Sequence, residues 1–318
     1  MIEDIKNKVM RGYLITKSEA VSLAKCDSES LALGAREIKE HFCGNSFDLC
    51  TIVNGKSGLC SENCKFCAQS VHYRGKTEEY PLLGSEEILK EALYSDAKGI
   101  GRFSVVTSGR ALSEADLENL CESYKILRKK TGLSLCASCG LLKYDDFVKL
   151  KEAGVSRYHN NLETSRRCFP EICTTHTYDE KIAAVKDAQR AGLTVCSGGI
   201  MGLGETMEDR IDMALELRSL GIKSVPINFL TPISGTPLEK MPHISEEEAV
   251  IIVSLYRFML PDSFIRLAGG RSLLKDRGKA LMASGANAAI TGDMLTTAGI
   301  SISDDIDMIS ELGYEVRL

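Results

Sequence analysis

No stretch of this sequence approaches the roughly 18 consecutive apolar residues of a membrane span, and it holds no long run of lysine or arginine. The first absence excludes a helical membrane protein. The second, with a formal net charge of −5, argues against nucleic acid as the main partner. The opening residues, MIEDIKNKVMRGYLI, are charged from the third position and lack the apolar core of a secretory signal, so a cytoplasmic chain is expected. Also missing are a Pro/Gly/Ser-rich linker, low-complexity tracts and any internal repeat beyond a strand–helix unit, which makes one large domain the leading count.

What is present suffices for a sizeable core: 44% hydrophobic and 26% charged residues over 318 positions, the balance of an ordinary globular protein. Short apolar runs at 47–53, 102–108, 133–138, 156–161, 194–199, 224–230, 264–270 and 287–292 read as eight buried strands. Between them lie amphipathic stretches such as SEEILKEALYSDAKG and TMEDRIDMALELRSLG, which open near Ser or Thr caps and close on glycine. Eight such alternations are what a closed parallel barrel requires. The expected fold is therefore α/β, a (β/α)8 TIM-type barrel over 46–318 preceded by two helical stretches in a 1–45 extension.

Twelve cysteines in a chain expected to stay reduced point to metal or catalytic roles rather than disulfides. Cys26, Cys43 and Cys121 fall in segments that read as helices and, with Cys50, read as small buried apolar residues. SGLCSENCKFCAQS (57–70) is different. Its Cys60, Cys64 and Cys67 lie within eight residues, a spacing at which three thiolates can converge on one inorganic centre. A structural zinc ion held by these thiols and His72 is one reading; an iron–sulfur cube with one iron left open for substrate is the other.

In a parallel barrel the reacting groups gather at the carboxyl ends of the strands. By that rule the three-cysteine loop follows the first strand, Cys136 and Cys139 end the third, and His159, Asn160, Asn161 and Glu163 close the fourth. Cys196 ends the fifth, Asn228 the sixth, Arg266 lies on the seventh, and Thr296 and Thr297 follow the eighth. All are expected at one mouth.

CSENCKFC resembles the C-x3-C-x2-C signature of radical S-adenosylmethionine enzymes, and its place after the first barrel strand is where that superfamily carries it. The resemblance implies a [4Fe-4S] cluster on Cys60, Cys64 and Cys67, whose free iron chelates S-adenosylmethionine before a 5′-deoxyadenosyl radical is released. It further implies that Phe66 lies beside the adenine, that GGIMGLGE (198–205), with Gly199, Ile200 and Gly202, supports it, and that Asn161 and Glu163 bind the ribose hydroxyls. Over nearly the whole chain, CSGGIMGLGET, SVPIN, FIRLAGGR and SGANAAITGDMLTTAG resemble the biotin synthase family in the same order. That resemblance implies insertion of sulfur into dethiobiotin, two S-adenosylmethionine molecules per product, a flavodoxin or ferredoxin as electron donor, an auxiliary iron–sulfur cluster as sulfur source, and a homodimer. The implied substrate contacts are Lys56, His159, Asn160 and Asn228 for the ureido group and tail, with Thr296 and Thr297 for the carboxylate.

One departure from the family pattern is informative. The usual auxiliary cluster has two irons, held by cysteines on the second, third and fifth strands and an arginine on the seventh. Cys136, Cys196 and Arg266 match, but Ser104 stands at the second-strand position and Cys139 is an added thiol. A hydroxyl is a poor substitute for thiolate on iron. The expectation is an auxiliary site rebuilt on Cys136, Cys139, Cys196 and Arg266, as a four-iron centre with an extra sulfide rather than a [2Fe-2S] one. Cys173 stands as a candidate fourth ligand, and ligation by Ser104 with Cys139 as bystander is the alternative. Glu163 and His159 replace an Asp and an Asn usual at their positions. Two rival functions stay open: a related radical enzyme of the methylornithine synthase or hydrogenase maturase type, and a non-catalytic zinc-stabilised protein.

Overall fold

The computed structural model describes residues 1–295, 297 and 299–317. Every apolar run becomes a strand: β1 (Ser46–Lys56), β2 (Arg102–Thr107), β3 (Ser134–Ser138), β4 (Arg157–His159), β5 (Thr194–Cys196) with its continuation β6 (Gly199–Met201), β7 (Ser224–Phe229), β8 (Phe264–Leu267) and β9 (Ala288–Ile290). All pair in parallel in the order β1-β2-β3-β4-β5-β7-β8-β9, and β9 returns to β1, which closes an eight-stranded barrel. The fifth strand is split because the chain at Gly198 runs so close to β7 that a Cβ there would stand 1.9 Å from the Pro226 carbonyl oxygen. A two-residue strand, β10 (Glu315–Val316), pairs with the start of β1.

Helices fill the crossovers: α4 (Ser85–Ala97), α5 (Glu114–Lys130), α6 (Tyr144–Ala153), α7 (Phe169–Ile172), α8 (Tyr178–Arg190), α9 (Met207–Ser219), α10 (Glu246–Met259), α11 (Lys279–Ala283) and α12 (Ile302–Glu311). Five of them start on a Ser or Thr whose hydroxyl accepts the amide three residues on, as at Ser113, Thr177, Thr206, Ser245 and Ser301. Among the described residues no helix is long and apolar enough to cross a membrane.

The segment before β1 holds three helices rather than two: α1 (Ile2–Met10), α2 (Lys17–Leu23) and α3 (Ser28–Cys43). Gly12, at φ +90°, ends the first, and the Thr16–Glu19 capping box starts the second. Cys26 lies in the bend between α2 and α3, outside any helix. Helix α3 packs on α10, and α2 on α9.

Side chains alternate along the barrel strands with the period of two that a pleated strand imposes. Phe103, Val105, Leu135, Ala137, Tyr158, Val225, Ile227, Ile265 and Leu267 point outward into the apolar layer under the helices. Asp48, Arg102 and Arg266 belong to the inward set and meet at the floor. The Asp48 carboxylate accepts from Arg266 Nη2 at 2.5 Å and from Arg102 Nε at 2.7 Å, with both Asp48 and Arg266 buried. Burial alone would raise the Asp48 carboxyl; the two guanidiniums outweigh it and hold it below the usual carboxylate range. Replacing Asp48 with Asn leaves a buried guanidinium without its counter-charge. Asp48→Asn is expected to destabilise the fold by about 3–5 kcal/mol, measured by denaturant unfolding, with Asp212→Asn, whose side chain is exposed, as a near-neutral control.

Lys39 on α3 is buried, with Nζ donating to the Met282 carbonyl at 2.6 Å and lying 4.0 Å from the Tyr314 ring centroid. Burial, then the nearby Arg257 guanidinium, bring its amine down to about 7, against the pull of Glu40. Unfolding returns it to the ordinary lysine value near 10.4. Between those values the unfolded chain binds a proton that the folded chain does not, so stability rises with pH across that window and is indifferent to this group below it. From pH 7 to pH 9 the gain expected from Lys39 is about 2 kcal/mol. Urea unfolding at both pH values checks it: Lys39→Met should lack this increment.

Candidate active site

One cavity of about 410 Å³ runs from the carboxyl ends of the strands toward the floor. Its mouth is the loop after β1. Gly58 at φ +75° and Leu59 at φ +49° turn the chain sharply, and a Cβ at Gly58 would stand 2.6 Å from Glu79 Cγ. The loop is then pinned by two backbone bonds, Cys60 N–H to the Gln69 carbonyl (3.0 Å) and Val71 N–H to the Cys60 carbonyl (2.9 Å). Cys60, Cys64 and Cys67 all line the cavity, as does Phe66, which packs in a small apolar cluster with Ile200, Ile172 and Leu230. His72 is exposed, and its Nε2 sits 3.0 Å from the Ser61 carbonyl. It does not line the cavity with the three thiols, so the geometry offers no Cys3His zinc tetrahedron there.

Opposite the thiols, Glu163 occupies the left-handed region at φ +69°, a strained setting for a residue with a side chain. What holds it is the Ile200 N–H donating to its carbonyl at 2.8 Å, across a close approach that leaves Gly199 no room: a Cβ there would lie 2.4 Å from Glu163 O. Glu163 Oε2 is buried without a hydrogen-bond partner, facing the cavity beside Asn161, whose Oδ1 accepts the Gly198 N–H. Ile200 lines the cavity; Gly199 and Gly202 stand behind it as backbone. Gly202, at φ +101°, donates its N–H to Glu205, which Arg210 also binds.

At the deeper end the inward positions of the first, third, fifth and seventh barrel strands are Cys50, Cys136, Cys196 and Arg266, all buried and all lining the cavity. Side chains from alternate strands form one layer of a barrel interior, and these four are electrostatic neighbours of one another. Burial raises the Cys50 thiol, and Cys136, Asp48 and Cys196 add to this against Arg266. Burial takes Cys136 up to about 11, opposed by Arg157 and Arg102. Cys196 goes the other way, down to about 6: burial would raise it, but a hydrogen bond and electrostatic interaction with His159, then the positive charges of Arg266 and Arg157, win. Arg266 itself is held protonated by Asp48 and the facing thiols in spite of its burial.

Two expectations about this layer change. Cys139 is fully buried in the apolar core and does not line the cavity; its backbone N–H takes the Tyr158 hydroxyl as acceptor. The reason is phase: Ser138 shares the inward parity of Cys136, whereas Cys139 shares the outward parity of Ala137. Cys50, read from the sequence as a structural residue, takes its place. Ser104 lines the cavity with its hydroxyl buried and unpartnered. Cys173 is not near this layer; its Sγ lies 3.7 Å from that of Cys64 at the mouth. Cys168 is buried beside Arg167, outside the cavity lining.

The remaining candidates divide. His159, Asn228 and Thr297 line the cavity. One N–H of Asn228 is spent on the Gly199 carbonyl (3.1 Å) and its Oδ1 accepts from Gly269 N–H (2.9 Å), which fixes its orientation. Lys56 turns away to an ion pair with Asp116 at 2.7 Å, and Asn160 turns away to the Gly140 carbonyl and Lys181; neither lines the cavity. Thr296 lies outside the described residues. The sequence signal that finds Cys50 is its two-residue register with Asp48 and Ile52 on the first strand.

The chain matches the Radical SAM superfamily model over residues 56–217 and the Biotin and Thiamin Synthesis associated domain over 226–315. It is 57% identical to the biotin synthase of Akkermansia muciniphila, covering 100% of this chain and 99% of that one. Identity is 55% to the biotin synthase of Brachyspira hyodysenteriae, over 100% of this chain and 95% of the relative. Among solved structures, a methylornithine synthase superposes with a TM-score of 0.86 at 21% identity, covering 99% of this chain and 97% of that one. A FeFe-hydrogenase maturase from Carboxydothermus hydrogenoformans gives 0.82 at 19%, covering 98% and 78%; at such identities these two share the fold. With two family models in tandem and full-length identities above one half, the chain belongs to the biotin synthase family of radical S-adenosylmethionine enzymes.

Proposed function

We propose that this chain inserts sulfur into dethiobiotin to form biotin, and that its sulfur source sits on Cys50, Cys136, Cys196 and Arg266. One observation carries the reading: a single cavity is lined at its mouth by Cys60, Cys64 and Cys67 and at depth by three further thiols with a guanidinium. A substrate lying between two such sets has one face toward each.

The residues fit the groups that the family uses. Three thiols on one pinned loop suit a four-iron cluster, and the unpartnered Glu163 Oε2 is an acceptor waiting for hydroxyl donors. When bound, the mouth cluster and S-adenosylmethionine supply hydrogen abstraction from unactivated carbon, and the deeper cluster supplies sulfur. The chain's own part is placement and shielding. Glu163 would accept the ribose diol, while Phe66 and Ile200 give a flat ring two apolar walls. Asn228, locked by Gly199 and Gly269, presents its remaining N–H to a ureido carbonyl, and Thr297 offers a hydroxyl to the substrate's carboxylate. The lining is mostly apolar, which keeps water from competing for a reactive carbon centre. His159 serves the Cys196 thiol, holding it toward the thiolate that ligation needs.

The wider set also bears on nuclearity. Cysteines on the first, third and fifth strands span more of the barrel than the usual second, third and fifth, and the small Ser104 leaves room between Cys50 and Cys136. This supports a four-iron centre carrying an extra sulfide over a two-iron one.

Two measurements test the reading. Oxygen-free reconstituted protein, given dethiobiotin, S-adenosylmethionine and a strong reductant, should yield biotin with 5′-deoxyadenosine; deoxyadenosine without biotin would discard the substrate assignment. In a Cys60→Ala/Cys64→Ala/Cys67→Ala background, about four irons per chain should remain. Adding Cys50→Ala should strip most of that iron, and adding Cys139→Ala should leave it in place. Iron loss from the Cys139 variant alone would return the ligand to Cys139.

A further inference from the structure

Cys173 and His176 lie in the segment joining α7 to α8, are 3% and 6% exposed, and have no part in the reading above. They stand against Cys64. The Cys64 and Cys173 sulfurs are 3.7 Å apart, Cys173 Sγ is 3.3 Å from His176 Nδ1 and 3.9 Å from Nε2, and one donor atom of each residue falls within 4.8 Å of the others.

We propose that Cys64, Cys173 and His176 form a mononuclear site for a thiophilic divalent cation, zinc or ferrous iron, in the chain that lacks its mouth cluster. The site itself stands on these contacts alone; only its consequence for the mouth cluster rests on the reading of Cys64 given above.

The spacing is that of a tetrahedral ion. With metal–sulfur bonds of about 2.3 Å and a metal–nitrogen bond of about 2.0–2.1 Å, two ligating sulfurs stand about 3.8 Å apart and sulfur and nitrogen about 3.6 Å apart. Both the sulfur pair and the Cys173–Nε2 pair already lie within a few tenths of an ångström of this. The histidine has the carboxylate partner a ligand imidazole needs, since Nδ1 is 2.5 Å from Glu62 Oε2; Cys173 Sγ lies nearer that nitrogen than Nε2, so ligation through Nε2 requires the ring to turn toward the thiols. Glu62 is buried and also accepts from Thr175 Oγ1 at 2.8 Å, with the Arg110 guanidinium at 3.5 Å.

The two segments are held in register by more than this contact. Asn63 Oδ1 accepts the backbone N–H groups of Thr174 and Thr175, and Lys65 N–H donates to the Ile172 carbonyl. The backbone that carries the three ligands is therefore fixed, and an ion has only the His176 ring to turn. Cys64 lines the cavity, which gives the ion its way in. Binding exchanges two thiol protons for one divalent ion, so the cation and two thiolates cancel in charge, and a water completes the tetrahedron. Because Cys64 belongs to both sets, an ion here occupies a thiolate that the mouth cluster needs, and the two occupancies exclude each other.

The test uses the full chain carrying Cys60→Ala and Cys67→Ala at the mouth and Cys136→Ala and Cys196→Ala in the deep layer, so that neither cluster set can bind, stripped of iron and kept free of oxygen. Titration with Co2+ should give about one equivalent bound, with thiolate-to-cobalt charge-transfer absorption and tetrahedral ligand-field bands that Zn2+ then displaces. Adding Cys173→Ala or His176→Ala should weaken binding at least ten-fold, and Glu62→Gln about ten-fold, with the far-UV circular dichroism unchanged. Should Cys173→Ala fail to fold, the near-isosteric Cys173→Ser should still lose the charge-transfer band. Absence of cobalt bands in the starting variant, or equal affinity after Cys173→Ala or Cys173→Ser, overturns the proposal. That variant cannot assemble the mouth cluster, so the outcome is independent of whether the parent chain makes biotin.

Discussion

The contact between Asp48 and Arg266 governs the interior. It joins β1 to β8 across β9, at the seam where the barrel closes, and Arg266 Nη1 adds bonds to the carbonyls of Asp48 and Ala289. An arginine cannot shed its charge to suit burial, so its position is fixed by where a carboxylate can meet it. Asp48 in turn fixes the phase of β1. Two residues on, Cys50 must face the same interior as Asp48, and it arrives in the layer where Cys136, Cys196 and Arg266 already point. One ion pair thus aligns the seam of the fold and completes the ring of thiols.

This coupling explains which parts of the molecule could be read from the sequence. The eight strands were legible because each is a short apolar run set between capped amphipathic helices, and closure followed from their number. Their inward residues were legible where a functional resemblance marked them, as at Cys136, Cys196 and Arg266. Cys139 misled because a C-x2-C spacing suggests a ligand pair only if the backbone leaves the strand between the two thiols. Here β3 runs through Ser138, so alternation sends Cys139 outward against Tyr158. Cys50 was overlooked for the converse reason. Within its own strand it looks like an apolar filler, and what makes it a ligand candidate is the company of strands three, five and seven, distant in sequence and brought near only by closure.

The mouth shows a second limit on legibility. Its thiols were evident from spacing, but the groups that shape the opposite wall depend on backbone conformations no local pattern announces. Glu163 is held at positive φ by Ile200 and by a glycine at 199 that alone permits the approach. The strain is local and is offset by the packing of β6 on β7 behind it. Its effect is to leave a carboxylate oxygen unpartnered in the cavity. Lys56 and Asn160, in contrast, carry the right chemistry on the right strands and are lost to Asp116 and Gly140, partners from flanking crossovers that a strand-by-strand reading does not contain.

Charge distinguishes the two ends of the cavity. Around the deep layer three guanidiniums, Arg102, Arg157 and Arg266, face a single carboxylate, Asp48, so the unloaded chain keeps a surplus of positive charge in a confined, poorly solvated space. Only Cys196 is drawn toward the thiolate, by His159 first and then by Arg266 and Arg157; Cys50 and Cys136 are buried more than they are attracted, and their thiols stay raised. Were a metal centre held there as proposed, the protons still on Cys50 and Cys136 would leave and an anionic assembly would lie against those guanidiniums, so that desolvation and Coulomb attraction, opposed in the free thiols, would act together. At the mouth the Arg110 guanidinium already meets two carboxylates, those of Glu62 and Glu180, so its charge is spent within the protein. The deep layer is therefore the end at which this chain's own electrostatics favour retention of an anionic centre, while the mouth depends on the geometry of its loop.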